Sequence, residues 1–328
     1  MRRTLVLGSV LSLVALLASA GVAGAGHRTV GEVTTLRTYD PDAGELPEGL
    51  TIDRRGRVYL TMTFLGEVRR VDPDGSEVVV AQLPAVNGFG PLGIVADQDG
   101  DLYVGVVAFD PALQGVYHVA RDGSIARLAG SEQIGFANGL AFGDRGVLYI
   151  TDSVAGRVWR SVRGGPVELW LESPLLLGDG SGPLPFPLGA NGITYRQRTL
   201  YVTNTEIGSV IAIPVRPDGE AGSPVVLAHD ARLGGADGIT VDVRGNLYVA
   251  VIAQSTILRL SPAGEVIEVL ADASDGLDSA SSLAFGTGRG DRTSLFVANF
   301  SVAPFFGGVR TAPPALLTLE TGEVGRPH

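Results

Sequence analysis

The chain contains no cysteine, which excludes disulfide cross-links and thiolate metal sites as sources of stability. Histidine is scarce, at four residues, and aromatic residues make up only 6%. No serine has a neighbouring histidine; Ser281 and Ser282 in particular lack one, which argues against a serine-nucleophile triad. Basic residues are outnumbered, 25 against 35 acidic, for a formal charge of -10. That balance argues against nucleic acid and anionic membranes as partners. Apart from one run near the start, no segment is long and apolar enough to cross a bilayer. Helical periodicity is missing from the rest of the chain.

The exceptional run lies in residues 1–25. Arg2 and Arg3 precede an apolar stretch from Leu5 to Leu17, followed by Ala23-Gly24-Ala25. A basic start, a short apolar run and a small-residue cleavage pattern read as a secretory signal. Cleavage near Ala25 removes two arginines and leaves an exported, acidic chain over 26–328. A chain of that length can bury a large core without staples, as one closed domain or two smaller ones.

What the sequence has in quantity is glycine, 46 residues, set among short apolar runs that recur. Glu48-Gly49-Leu50 leads through Gly56 to Val58-Tyr59-Leu60. The unit returns from Leu92 through Gly100 to Leu102-Tyr103-Val104, and from Asn138 through Gly146 to Leu148-Tyr149-Ile150. Asn191 leads to Leu200-Tyr201-Val202, Asp237 to Leu247-Tyr248-Val249, and Ser281 to Leu295-Phe296-Val297. The first positions are 48, 92, 138, 191, 237 and 281, so the repeats run 44 to 53 residues. A unit of that length holds four short strands, one blade of a propeller.

The predicted fold is therefore all-β, a six-bladed β-propeller with four antiparallel strands per blade. In the first blade the strands are expected at 49–53, 58–62, 67–72 and 76–82, with glycines supplying positive φ in the hairpins. The sixth unit runs out of chain after three strands. Residues Gly31 to Tyr39 carry the pattern of an outer strand and are expected to close the last blade. Closure of that kind removes an open sheet edge.

The innermost strands of a propeller line its channel, so the blade starts form a ring of Glu48, Leu92, Asn138, Asn191, Asp237 and Ser281. The glycine that follows persists in most blades while the ring residue varies. Turn formation alone would suit one residue type throughout. Two carboxylates and two amides in one narrow channel repel or go unsatisfied without a partner. A hard divalent cation resolves this, taking carboxylate and amide oxygens with water in the remaining positions. The absence of His and Cys from the ring points away from copper and zinc and toward Ca²⁺, with Mg²⁺, Mn²⁺ and Zn²⁺ left open.

At Pro47-Glu48-Gly49, Ala137-Asn138-Gly139, Ala190-Asn191-Gly192, Ala236-Asp237-Gly238 and Ser281-Ser282-Leu283, the chain resembles the SMP-30/gluconolactonase/LRE-like family. Diisopropyl-fluorophosphatase and paraoxonase are more distant relatives in architecture. The resemblance implies that Glu48, Asn191 and Asp237 ligate the metal, with Asn138 touching metal or substrate and Asp237 acting as general base. The implied activity is hydrolysis of a lactone or similar ester, with water or a carbonyl activated by the metal. Sugar-lactone members place an arginine shortly before the Asn138 position, where this chain has Phe136. The paraoxonase-type histidine pair has no counterpart, since His118 and His229 fall on outer strands.

Three longer connections are expected on the ring's face: 173–188 with Phe186, 109–114, and 303–308 with Phe305. They predict an apolar rim and a small-molecule substrate less polar than a sugar lactone, contacted by Asn138, Phe136, Phe186 and Phe305. Asp152 and Asn204, at the ends of second strands, are candidates to orient the ligands from behind. The alternative is a noncatalytic propeller resembling NHL-repeat proteins, holding a ligand or protein on the same face. A strictosidine-synthase-like activity is a third reading, disfavoured by the retained ring.

Overall fold

A computed structural model describes residues 29–326 of the chain; the expected leader over 1–25 lies outside them. Six four-stranded antiparallel sheets succeed one another around an axis. In blade one the strands are Pro47–Ile52, Val58–Met62, Glu67–Val71 and Glu77–Gln82. These agree with expectation to within two residues at each end. The other innermost strands are Pro91–Ala96, Ala137–Phe142, Ala190–Arg196, Ala236–Val241 and Ala280–Phe285. Among the described residues the helical elements are all short 3₁₀ turns, and no helix is long and apolar enough to cross a membrane.

The second strands show why the repeat reads as it does. Side chains alternate across a strand, and here both faces are covered by neighbouring blades. In blade three Leu148 and Ile150 pack toward blade two, while Tyr149 between them packs toward blade four. In blade five Leu247 and Val249 face blade four while Tyr248 faces blade six. Six apolar layers of this kind fill the six inter-blade gaps. The first hairpins of blades one, two and five turn on Asp-x-x-Gly. Gly56, Gly100 and Gly245 there hold φ of 76°, 89° and 94°, a region costly for residues with a Cβ.

The last blade closes as expected. Val33–Thr38 pairs antiparallel with Ala315–Glu320, with Val33 opposite Leu319 and Thr38 opposite Ala315. It is the outer strand of a sheet whose other three members come from the chain's far end. A bulge between Thr35 and Arg37 turns Leu36 out to solvent.

Candidate metal centre

Each of the first five blades begins with a β-bulge. In blade one Pro47 pairs with Met62 and Leu50 with Leu60, so Glu48 and Gly49 together oppose Thr61. The same shift recurs at Leu92-Gly93, Asn138-Gly139, Asn191-Gly192 and Asp237-Gly238. Bulges re-aim a side chain out of the regular pleat, and these set the ring residues at the channel end.

The glycine within each bulge answers to packing rather than to a turn. A Cβ on Gly49 would stand 2.2 Å from the carbonyl oxygen of Leu92, and one on Gly93 would stand 1.9 Å from that of Asn138. For Gly139, Gly192 and Gly238 the distances to Asn191, Asp237 and Ser281 oxygens are 2.4, 2.3 and 2.6 Å. Each glycine thus makes room for the backbone of the next ring residue, and none of the five needs positive φ.

Hydroxyls tie the carbonyls in place. Thr61 Oγ1 donates to Leu92 O at 2.7 Å, and Thr151 Oγ1 to Asn191 O at 2.6 Å. Thr203 Oγ1 donates to Asp237 O at 2.6 Å. The circle closes where Ser281 Oγ donates to Glu48 O at 2.6 Å and Ser282 Oγ accepts from Leu50 N at 3.1 Å.

All four expected donor side chains are buried at this end of the channel, none more than 7% exposed. Glu48 Oε2 is buried with no hydrogen-bond partner. Burial pushes the Glu48 carboxyl well above the usual carboxylate range, and the neighbouring Asp237 charge adds to the shift. Burial pushes Asp237 up to about 8, offset in part by a hydrogen bond from Asn191. Among the described residues no three His, Cys, Asp or Glu side chains gather. The donor set is therefore two carboxylates completed by the amides of Asn138 and Asn191. An orphaned carboxylate oxygen beside a second buried carboxyl is the arrangement a hard cation would satisfy, so these residues fit a divalent ion taking oxygen ligands.

Asp152 and Asn204 do something other than expected. Asp152 accepts from Gly135 N and Phe136 N at 3.1 Å and from Trp159 Nε1 at 3.4 Å. Asn204 donates to Leu175 O and Leu177 O and accepts from Ile207 N. Both satisfy connecting-segment backbone and make no bond to a ring side chain. The residues that do are one position further on. Asn138 Nδ2 donates to Ser153 Oγ at 3.2 Å, and Asn191 Nδ2 donates to Thr205 Oγ1 at 3.0 Å. Sequence reasoning missed both, although a hydroxyl recurs at that place as Thr63, Ser153 and Thr205.

The apolar rim is present. Phe136 is buried in a cluster with the ring's own Leu92 and with Val107, against which Phe89, Phe186 and Leu188 pack. Phe136 lies 5.9 Å from Phe186, 6.0 Å from Phe109 and 6.2 Å from Phe89 between ring centroids. It is wedged into the core beneath the rim, not left free. On the other side Phe305 sits 5.8 Å from Phe64 and 5.2 Å from Phe306. Phe89, Phe186, Phe305 and Phe306 share an apolar cavity of about 400 Å³ with Pro183, Leu184 and Pro185. A larger cavity, about 870 Å³, follows the channel beyond the ring toward the opposite face. It is lined by Gly93, Gly139, Gly192, Gly238 and Ser282 and, further along, by Thr194, Tyr195 and Arg326. His118 is away from all of this, against Asp101 and Tyr103 on blade two.

Residues 188–300 match the model of the SMP-30/Gluconolactonase/LRE-like region. The family resemblance read from the blade starts therefore holds over blades four and five and the first two strands of blade six. That stretch contains Asn191 and Asp237; Glu48 and Asn138 stand outside it. The chain is similar to lactonase drp35 of Staphylococcus aureus strain USA300, 25% identical over 239 residues, covering 67% of this chain and 69% of the relative. Among solved structures it resembles a luciferin-regenerating enzyme, with TM-score 0.69, 16% identity and coverage of 90% and 97%. It also resembles regucalcin, a calcium-binding protein from Agrobacterium tumefaciens, with TM-score 0.65, 17% identity and coverage of 90% and 95%. At these identities the two structures bear on the fold.

Proposed function

We propose that this chain is an exported hydrolase of lactones or related esters that depends on a divalent cation, Ca²⁺ fitting best. The observation that carries the reading is Glu48, whose Oε2 is buried without a partner beside Asp237. The similarity to a curated lactonase supports the reaction class. Glu48, Asn191 and Asp237 would hold the ion, with Asn138 beside them. When bound, such an ion supplies Lewis acidity, polarising a carbonyl and acidifying water.

The chain's own contribution is placement and proton transfer. The bulges and inter-blade ties fix the ring carbonyls, so the four side chains meet without reorganisation at the moment of reaction. Without a cation, burial raises Asp237 to about 8; a divalent ion on the same carboxylate would lower it again and keep it ionised, as a general base requires. One of its oxygens takes a proton from the attacking water as the new carbon–oxygen bond forms. The same proton passes to the ring oxygen as the old bond breaks, and the product is a hydroxy acid. The cavity above, walled by Phe186 and Phe305, suits the apolar part of a substrate and excludes water from it.

The direct test is hydrolysis of a panel of sugar lactones, alkyl- and aryl-substituted lactones and aryl esters, with Ca²⁺, Mg²⁺, Mn²⁺ or chelator. Chelation and Asp237→Ala should each abolish activity, and Phe186→Ala should raise KM for the apolar substrates with little change in kcat. Activity indifferent to both chelator and Asp237→Ala would refute the mechanism. A noncatalytic binding propeller is the second reading, favoured by Phe109, Phe305 and Phe306, which stay between 43% and 50% exposed on the rim. It predicts saturable ligand binding on that face with no turnover on any panel member.

A further inference from the structure

The wall hydroxyls of blades three and four decide which atom of each ring amide faces the channel. Ser153 Oγ donates its single proton to Ala190 O at 2.6 Å, and Thr205 Oγ1 donates its own to Ala236 O at 2.8 Å. With that proton committed to a backbone carbonyl of the next blade, each hydroxyl can only accept from the amide beside it. An amide oxygen turned toward it would meet a lone pair. The nitrogens must therefore face the wall, as they do: Asn138 Nδ2 to Ser153 Oγ at 3.2 Å and Asn191 Nδ2 to Thr205 Oγ1 at 3.0 Å. Nothing else among the described residues donates to Oδ1 of either amide, so both oxygens are left for a ligand.

We propose that Ser153 and Thr205 are positioning residues that lock Asn138 and Asn191 with Oδ1 toward the axis, making oxygen donors of amides that could otherwise rotate. The proposal rests on the cation-binding reading of the same ring. The other blades bear out the pairing of hydroxyl with amide. Beside Leu92, Asp237 and Ser281 the equivalent positions hold Val107, Ile252 and Phe300, none of which could orient an amide. Blade one has Thr63, which donates to Pro91 O, but its ring residue Glu48 is a carboxylate with no proton to offer when ionised. Thr63 thus makes the inter-blade tie without the amide lock, which makes it the natural control.

The test is Ca²⁺ titration calorimetry on chelator-stripped full-length protein, together with side-chain amide NMR of Asn138 and Asn191. Thr205→Val and Ser153→Ala should each weaken Ca²⁺ binding about 10- to 100-fold, the usual effect of removing a partner that orients a ligand. Thr205→Ser should restore it. Thr63→Val should lower the melting temperature to a similar extent as Thr205→Val while leaving Ca²⁺ affinity within about twofold. In the NMR arm the Asn191 NH₂ signals should lose exchange protection in Thr205→Val, those of Asn138 in Ser153→Ala, and neither in Thr63→Val. Equal weakening in Thr205→Val and Thr63→Val, or unchanged amide protection, would overturn the proposal. If wild type takes up no Ca²⁺, Mg²⁺ or Mn²⁺, the cation reading fails and the amide signals alone decide the lock.

Discussion

Two carboxyl groups buried side by side must bind protons when no cation is present, and this makes a measurable prediction about stability. Asp237 is pushed up to about 8 by burial in the folded chain, from an ordinary value of 3.8. A group whose folded value is raised holds its proton more tightly in the native state. Its contribution is complete below about 3.8 and is lost as pH rises toward 8. Within that window the native state binds more protons than the unfolded one, so stability falls with pH at about 1.4 kcal/mol per unit for one group. From pH 5.5 to 7.5 the cation-free protein should lose about 3 kcal/mol through Asp237, or roughly 5 to 10 °C in melting temperature at the scale of a large domain. Glu48 is raised in the same direction and steepens the fall.

Adding Ca²⁺ at pH 7.5 should reverse the loss, because an ion that binds only the folded state adds about 2.7 kcal/mol at a hundredfold excess over its Kd. Asp237→Asn removes the titrating group and relieves Glu48 of a like charge. In chelator this variant should be more stable than wild type at pH 7.5, should lose less stability between pH 5.5 and 7.5, and should not respond to Ca²⁺. The assay is differential scanning fluorimetry across pH with chelator or Ca²⁺, checked by urea denaturation at both pH limits. Parallel pH profiles for wild type and Asp237→Asn in chelator, or an equal rise of both on adding Ca²⁺, would refute the reasoning.

Two further predictions concern the frame. Gly139→Ala puts a methyl 2.4 Å from Asn191 O, so it should destabilise by at least the 1–3 kcal/mol typical of overpacking and weaken Ca²⁺ binding. Gly75→Ala, with φ of 82° and open space around it, should cost about 1 kcal/mol and leave Ca²⁺ binding unchanged; calorimetry on the pair separates close approach from turn strain. A chain beginning at Tyr39 lacks the outer strand and leaves Ala315–Glu320 as an open edge. It should melt well below wild type and elute as higher oligomers in size-exclusion chromatography.

The repeat made the fold legible because each blade uses the same alternation. Leu148 and Ile150 go one way and Tyr149 the other, so the motif is a record of which neighbour each side chain touches. Closure was legible for the complementary reason, since the sixth unit lacked a strand and residues 31–39 had no other blade. The ring residues were legible because they vary where the backbone does not. Their support was not. Asp152 and Asn204 are the more polar choices at the strand ends, yet side chains alternate, and the position facing the ring belongs to Ser153 and Thr205. The work of the ring glycines was hidden too: it is to admit the next blade's carbonyl, a contact across some forty residues that no local pattern reveals. Phe136 was legible as apolar, but its wedging beneath Phe89, Phe109 and Phe186 depends on segments far apart in sequence.

The same residues that offer side chains to the channel offer backbone carbonyls to the neighbouring blade. Leu92, Asn191 and Asp237 are each held by a threonine of the blade before, and Glu48 is held by Ser281. That last tie joins the end of the chain to its beginning, across the gap that the 33–38 strand closes from the outside. The proposed cation site and the circular closure are therefore one structure seen from two sides. Loosening blade six moves Ser281, Ser281 positions Glu48, and Glu48 carries the orphaned oxygen. A substitution at the outer edge of blade six, some distance from any ligand, should for this reason reduce cation affinity before it unfolds the chain. A strain confined to the outer strands of blade two, whose ring residue is the apolar Leu92, should reduce stability alone. If affinity and stability fell together for both blades, the ring would be an average property of the propeller, and its specific dependence on the 281–48 tie would be wrong.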